Sequence, residues 1–271
     1  MKNSRCATQG LVLLGCGKMG SAMLQGWLAR GLPSSSVWVV DPHPSDWLKA
    51  SGVHLNSDLP AEPAVVLVAV KPQMMSEALP TLKAMGNADT VFVSVAAGVT
   101  ISYFEAILGA QTPIVRAMPN TPAAISQGVT AITANAQAGA VALTEAEELL
   151  GAVGDVVRVE KEDQIDAVTG VSGSGPAYVF HLIETMAAAG EAEGLPPDIA
   201  MQLAKATVAG AGALAMAAEE TPEQLRVNVT SPNGTTQAAL EVLMDEQDGF
   251  PALLARAVKA ATDRSRELAN G

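Results

Sequence analysis

Glycines at positions 15, 17 and 20 follow the apolar run Leu11-Val12-Leu13-Leu14 and open an amphipathic stretch that ends near Gly31. A strand, a Gly-x-Gly-x-x-Gly turn and a helix, in that order, seat a dinucleotide pyrophosphate on a helix N-terminus. Gly15 permits the tight turn, Gly17 lets the backbone approach the phosphates, and Gly20 lets helix and strand pack closely. A second apolar run, Val37-Trp38-Val39-Val40, ends in Asp41, 21 residues beyond Gly20. An acidic side chain there accepts hydrogen bonds from the adenosine ribose and repels a 2′-phosphate, which favours NAD over NADP. Asp41-Pro42-His43-Pro44 also reads as a simple turn. The expected ligand is a nicotinamide or flavin dinucleotide, with nicotinamide preferred.

Further candidates end other strands. Val70-Lys71-Pro72 closes the third apolar run at the sheet edge where such folds bind ligands, although a solvated Lys before a helix-starting Pro fits equally. Ala96-Ala97-Gly98 follows the next run and permits close approach of the nicotinamide half. In Arg116-Ala-Met118-Pro119-Asn120-Thr121-Pro122, Arg116 is either a carboxylate ligand or a brace for the loop. Ser172-Gly173-Ser174-Gly175-Pro176 is expected to cap the helix that follows. Thr230-Ser231-Pro232-Asn233-Gly234-Thr235-Thr236-Gln237 joins two expected helices. Its amides and hydroxyls make either a carboxylate cradle or a capped turn.

These residues must be positioned by a chain of 271 residues, long enough for two domains. Strands are expected at 11–15, 37–41, 64–70, 91–95, 113–117, 128–133 and 155–159, with helices near 18–30, 73–85, 101–109 and 144–152. Continuous apolar strands alternating with helices imply a parallel sheet covered on both faces. Beyond residue 162 the pattern is helical: 163–170, 176–193, 197–218, 222–229, 233–246 and 250–269. The fold class is α/β: a Rossmann-like doubly wound sheet over 1–161, then an all-α domain over 162–271. The Ala- and Gly-rich faces of 185–218 suit close packing in an intertwined dimer or in a tight monomeric bundle.

Composition narrows the function. Net charge is −12, and residues 121–271 carry 21 acidic against 8 basic side chains. That asymmetry argues against nucleic acid and requires local N–H groups to hold an anionic substrate. Cys6 and Cys16 form no disulfide or metal pattern, which suggests a reducing compartment. Residues 1–10 look disordered and lack the apolar core of a secretory signal. The apolar run 199–218 contains Gln202 and Lys205 and reads as a buried interface helix, not a membrane span. A cytoplasmic protein without nucleic-acid or membrane partners is expected. His43, His54 and His181 have no metal spacing, and no Ser/His/Asp arrangement occurs. A cofactor enzyme without an obvious side-chain acid suits a substrate needing little acid catalysis, such as a cyclic imine.

The chain resembles the pyrroline-5-carboxylate reductases. The matching segments are the Gly15–Gly20 turn, Ala69-Val70-Lys71-Pro72, Ala96-Ala97-Gly98-Val99-Thr100, Arg116 to Pro122, Asp166-Ala-Val-Thr-Gly-Val-Ser-Gly-Ser-Gly-Pro-Ala177 and Ser231-Pro-Asn-Gly-Thr-Thr236. They occur in family order from about residue 10 to 268. The resemblance implies hydride transfer from NADPH or NADH to 1-pyrroline-5-carboxylate, giving L-proline in the last step of its biosynthesis. It implies a homodimer, often within a ring of dimers. It implies that Ser231, Gly234, Thr235 and Thr236 hold the substrate carboxylate and that Glu162 lies near the substrate. Thr236, Glu219 and Ser231 are the expected catalytic residues, with Glu219 near the ring nitrogen. Cys16, Lys18 and Met19 join the three glycines as cofactor residues, with Asp41, Asn56, Val70, Lys71, Pro72, Ala97 and Asn228. Asn233 departs from the family's usual Gly, and Asn tolerates a left-handed backbone. Asp41 departs from the small or hydroxyl residues of many members and puts their NADPH preference in question.

Three rivals remain on sequence, of which an imine reductase of another substrate would not require this carboxylate loop. β-Hydroxyacid dehydrogenases share the two-domain plan, but Gly170, Gly173 and Gly175 are followed here by Val179 where those enzymes place Lys. A non-catalytic dinucleotide sensor would not require an intact carboxylate loop.

Overall fold

A computed structural model describes residues 1 and 4–270. Eight strands form one sheet: β1 Leu11–Leu14, β2 Val37–Val40, β3 His54–Leu55, β4 Val65–Val68, β5 Val91–Ser94, β6 Ile114–Met118, β7 Gly128–Ala134 and β8 Gly154–Arg158. Their spatial order is β3-β2-β1-β4-β5-β6-β7-β8. The chain order reverses beside β1, which pairs in parallel with β2 on one side and β4 on the other. The expectation of a wholly parallel sheet is corrected at one junction, because β6 and β7 are antiparallel. Only residues 119–127 join them, fewer than the dozen or so that a parallel crossover needs. The two-residue β3 is too short to show in a hydropathy pattern.

Alternation along the strands builds two cores. Leu11, Leu13, Val37, Val39, Val65 and Leu67 face one side with α2 (Lys18–Ala29), while Val12, Leu14, Val66, Val68 and Phe92 face the other. On α2 the buried stripe is Gly20, Met23, Leu24 and Trp27. The Trp27 indole donates to Leu149 O at 2.8 Å. Phe104 and Leu108 of the helix Ile101–Leu108 fill the second side with Met75, Leu79 and Leu82. Segment 72–85 is mostly 3-10 turns instead of the expected continuous α-helix. The expected helix at 144–152 begins earlier, as Gly139–Leu150. Residues 5–9, expected to lack structure, form a short helix with Cys6 buried. Arg5 there pairs with Glu145 at 3.0 Å.

The chain divides into two compact units, Met1–Gly173 with Ala261–Gly271, and Ser174–Ala260. The boundary thus lies past the expected 161/162 division, and the chain end returns to the first unit. Packing explains both shifts. Ile165 and Asp166, on the helix Gln164–Val168, are buried. Ser265, also buried, donates to Asp166 Oδ1 at 2.6 Å. Leu268 lies so close to Gly98 that a Cβ built there would sit 3.3 Å from it. Ser174 makes no side-chain cap, contrary to expectation. Residues 169–173 form a π-turn, and Ser172 Oγ donates instead to Val168 O at 3.2 Å.

The second unit is helical: Gly175–Ala192, Pro197–Ala217, Pro222–Asn228, Thr235–Leu243 and the first part of Phe250–Asn270. Ala187, Ala200 and Ala204 are its small buried cluster. Gly190 adds to that closeness, since a Cβ there would meet Leu195 and Ala200. Helix Pro197–Ala217 is long and apolar enough to cross a membrane by length and composition alone, and only 11% of its apolar window is buried. Within one chain it is therefore mostly uncovered, which suits the expected interface helix and not a helix enclosed in a monomeric bundle. Its outer face carries Leu203, Leu214 and Met216.

Removing the Ser265 hydroxyl leaves the buried Asp166 carboxylate short of a donor. Ser265→Ala is expected to lower stability by about 1–3 kcal/mol. The urea midpoint reads this, and an unchanged midpoint would show that the chain end contributes nothing to the first unit.

Candidate active site

The parallel strands β1, β2, β4 and β5 all end on one edge, and the candidate cofactor loops leave from their ends. Such an edge, beside the reversal of strand order, is where open α/β sheets bind ligands. Gly15 extends the ladder beyond β1 by donating to Val40 O at 2.8 Å, and Ala69 donates to Leu14 O at 2.8 Å. Gly15 has φ +88, and a Cβ there would lie 2.9 Å from Val70 Cγ1. A Cβ on Gly20 would lie 2.4 Å from Gly15 O, so α2 starts against the end of β1 only because that side chain is missing. Gly17 differs. It is the N-cap of α2, and a Cβ built on it meets nothing within 4 Å. The protein itself makes no steric demand for glycine there, so open space stands over the amides of the first helical turn. That space suits a dinucleotide pyrophosphate.

Asp41 is buried at 8% exposure, and its carboxylate is held from two directions. Cys16 N donates to Oδ2 and His43 N donates to Oδ1, each at 2.7 Å. The expected cofactor residue Asn56 spends its side chain on the backbone of Asp41. Its Oδ1 accepts from Asp41 N at 2.9 Å and its Nδ2 donates to Asp41 O at 2.8 Å. Asn56 adopts φ +48, a left-handed conformation Asn tolerates. Burial, then the Asp41 charge, pushes the Cys16 thiol up to about 11, so it stays protonated at neutral pH. Val70 is half-buried, and Lys18, Lys71, Pro72 and Ala97 are exposed along the same edge. Gly98 takes φ +74 beneath Leu268.

Arg116 and Glu162 form a linked pair that separate readings of each residue did not anticipate. The Arg116 side chain, 5% exposed on β6, donates to Glu162 Oε1 at 2.8 Å. The same oxygen accepts from Ile101 N at 2.8 Å, at the start of the helix that follows Ala96–Thr100. Arg116 is thus a brace, the second of its two expected roles. Glu162 ties the loop after β5 to β6. Only separation along the chain hid this pairing, since the two partners are 46 positions apart.

In the second unit, segment 229–234 joins helices Pro222–Asn228 and Thr235–Leu243. Asn233 has φ +56 and donates its amide to Gln237 Oε1 at 2.8 Å. Gly234 N donates to Ser231 O at 3.0 Å. A Cβ on Gly234 would lie 2.5 Å from Ser231 Oγ, so glycine keeps that hydroxyl against the helix start. Thr230 Oγ1 donates to Arg226 O. The amides of Thr235 and Thr236 open the helix, where no carbonyl one turn back can accept them. Glu219 is exposed in the connection between Pro197–Ala217 and Pro222–Asn228. Asn228 Oδ1 accepts from Gln224 Nε2 at 2.8 Å. The cofactor candidates other than Asn228 thus gather on one edge of the first unit, with Glu162 in the same unit. Glu219, Asn228, Ser231, Gly234, Thr235 and Thr236 belong to the second unit.

Residues 162–268 match the family model described as pyrroline-5-carboxylate reductase dimerisation. Residues 10–98 match that described as NADP oxidoreductase, coenzyme F420-dependent. A pyrroline-5-carboxylate reductase of Pseudomonas aeruginosa is 40% identical over 269 residues, covering 97% of this chain and 98% of its own. The chain belongs to the pyrroline-5-carboxylate reductase family. A Synechocystis member is 41% identical over 95% of this chain and 97% of its own. Among solved structures, a reductase of this name from Coxiella burnetii superposes with a TM-score of 0.91 at 35% identity, covering 96% of this chain and 98% of that one. A Plasmodium falciparum pyrroline carboxylate reductase with NADP bound gives 0.83 at 25% identity, over 97% and 99%.

The glycine turn separates two physical roles. Gly20→Ala is expected to lower the melting temperature, since the helix must move off Gly15 O. Gly17→Ala is expected to melt like the parent yet bind nicotinamide dinucleotide about tenfold or more weakly, roughly 1.4 kcal/mol. Calorimetric titration beside thermal melting checks both. Equal affinity of parent and Gly17→Ala would remove the turn from the binding site.

Proposed function

We propose that this chain reduces 1-pyrroline-5-carboxylate to L-proline at the expense of NADPH or NADH, the final step of proline biosynthesis. The observation that carries this reading is similarity to reductases of that name along virtually the whole chain. It joins a glycine turn at the strand-order reversal to a hydroxyl-rich loop opening a helix. Gly15, Cys16, Gly17, Lys18, Met19 and Gly20 would hold the pyrophosphate, with Asp41 towards the adenosine ribose. Val70, Lys71, Pro72, Ala97 and Asn228 would line the remainder. The bound reduced dinucleotide supplies the hydride that saturates the carbon–nitrogen double bond.

The remaining chemistry falls to side chains and amides. The amides of Thr235 and Thr236, with the hydroxyls of Ser231, Thr235 and Thr236, hold the substrate carboxylate against an otherwise acidic half-chain, in a turn that Gly234 shapes. That acidity suits the other end of the substrate. The ring nitrogen protonates readily, and Glu219 stabilises the resulting cation near the loop. Thr236 and Ser231 fix the ring in one orientation. Because the substrate nitrogen carries its own proton, no His or Lys acid is demanded. The Arg116–Glu162 pair holds the loop that ends at Ile101.

The assembly is proposed as a homodimer that joins into a ring of dimers, in a reducing, cytoplasmic setting. The exposed Leu203, Leu214 and Met216 support the dimer, since a partner helix would cover them. The two described cysteines are free thiols, which suits that setting.

Oxidation of NADPH or NADH on addition of pyrroline-5-carboxylate tests the reaction, and no oxidation with either would overturn it. Thr236→Ala is expected to raise KM and reduce kcat/KM by about tenfold or more, corresponding to at least 1.4 kcal/mol. Unchanged kinetics would take Thr236 out of the site.

A further inference from the structure

We propose that Asp41 makes this chain select the dinucleotide without a 2′-phosphate, NAD(H) over NADP(H). The inference rests on the dinucleotide site proposed above and concerns only which cofactor fills it. Cys16 N and His43 N fasten the two carboxylate oxygens, and Asn56 clamps the backbone of the same residue. Asp41 therefore cannot swing aside to admit a phosphate without abandoning two amides in a buried setting. Each carboxylate oxygen keeps a further lone pair, enough to accept from ribose hydroxyls.

The charges of the segment that follows β2 point the same way. Segment 41–46 reads Asp-Pro-His-Pro-Ser-Asp and contains no Lys or Arg. The first cation beyond it, Lys49, pairs with Asp46 at 2.9 Å. A 2′-phosphate placed at the end of β2 would meet a fixed carboxylate and, from this segment, no permanent positive charge. Like charges brought together in this way are strongly disfavoured.

Calorimetric titration of the full-length protein with NAD+ and NADP+ separately tests the assignment, independently of turnover. The parent is expected to bind NAD+ about tenfold or more tightly than NADP+. Asp41→Asn, nearly the same shape without the charge, is expected to narrow that ratio by about fivefold or more. His43→Arg leaves Asp41 in place and adds a cation. It is expected to tighten NADP+ specifically, which keeps the test informative should Asp41→Asn fold poorly. Equal or tighter NADP+ binding by the parent overturns the inference, as does an unaltered ratio in folded Asp41→Asn. A preference for NAD+ without reduction of pyrroline-5-carboxylate would sink the proposed reaction while leaving the cofactor assignment standing. Binding of neither dinucleotide would sink both.

Discussion

The approach of α2 to the end of β1 is the constraint on which the first unit turns. A single carbon at position 20 would sit 2.4 Å from Gly15 O, so the helix begins where it does only because glycine occupies that place. β1 is also the one strand hydrogen-bonded to both β2 and β4 across the reversal of order. Its end therefore fixes three neighbouring loops together. Gly15 bonds across to Val40, Cys16 reaches Asp41, and Ala69 bonds back to Leu14. Moving the helix start displaces all of them.

Around this point the sheet has no solvated face. Leu11 and Leu13 serve one core, and Val12 and Leu14 the other, so helices must cover both sides. Buried charge is accordingly rare and specific. Arg116 is almost wholly enclosed, and one Glu162 oxygen meets both its guanidinium and the amide of Ile101. Loss of Glu162 would cost more than the pair contributes, because Arg116 would remain buried without compensation. The arrangement holds the loop beyond β5 in register with β6.

The helical unit follows a different economy. Alanines and glycines bring Gly175–Ala192 and Pro197–Ala217 close together, leaving larger apolar side chains outward. Its reactive-looking loop is partly self-satisfied. Asn233 and Gly234 amides and the Thr230 hydroxyl already have partners, which stiffens the turn and leaves the first amides of the next helix available. Asn233 supplies the left-handed backbone at this turn.

Local pattern was enough for most of the architecture and for locating the two loops proposed to carry the chemistry. Continuous apolar runs marked the parallel strands, the glycine spacing marked the dinucleotide turn, and Asn233 signalled its unusual backbone. These are short-range properties, expressed within one strand, turn or helix. The antiparallel β6–β7 pairing, the Arg116–Glu162 link and the return of the C-terminal helix end to Asp166 and Gly98 were decided only in three dimensions. The same holds for Asn56, whose type suggested a ligand contact but whose amide is spent on Asp41. The sequence by itself determined which segments could form a nicotinamide site and a carboxylate loop. Tertiary structure alone decided which of their polar groups were already consumed by distant partners, since a hydrogen bond depends on proximity in space and leaves no periodic trace along the chain.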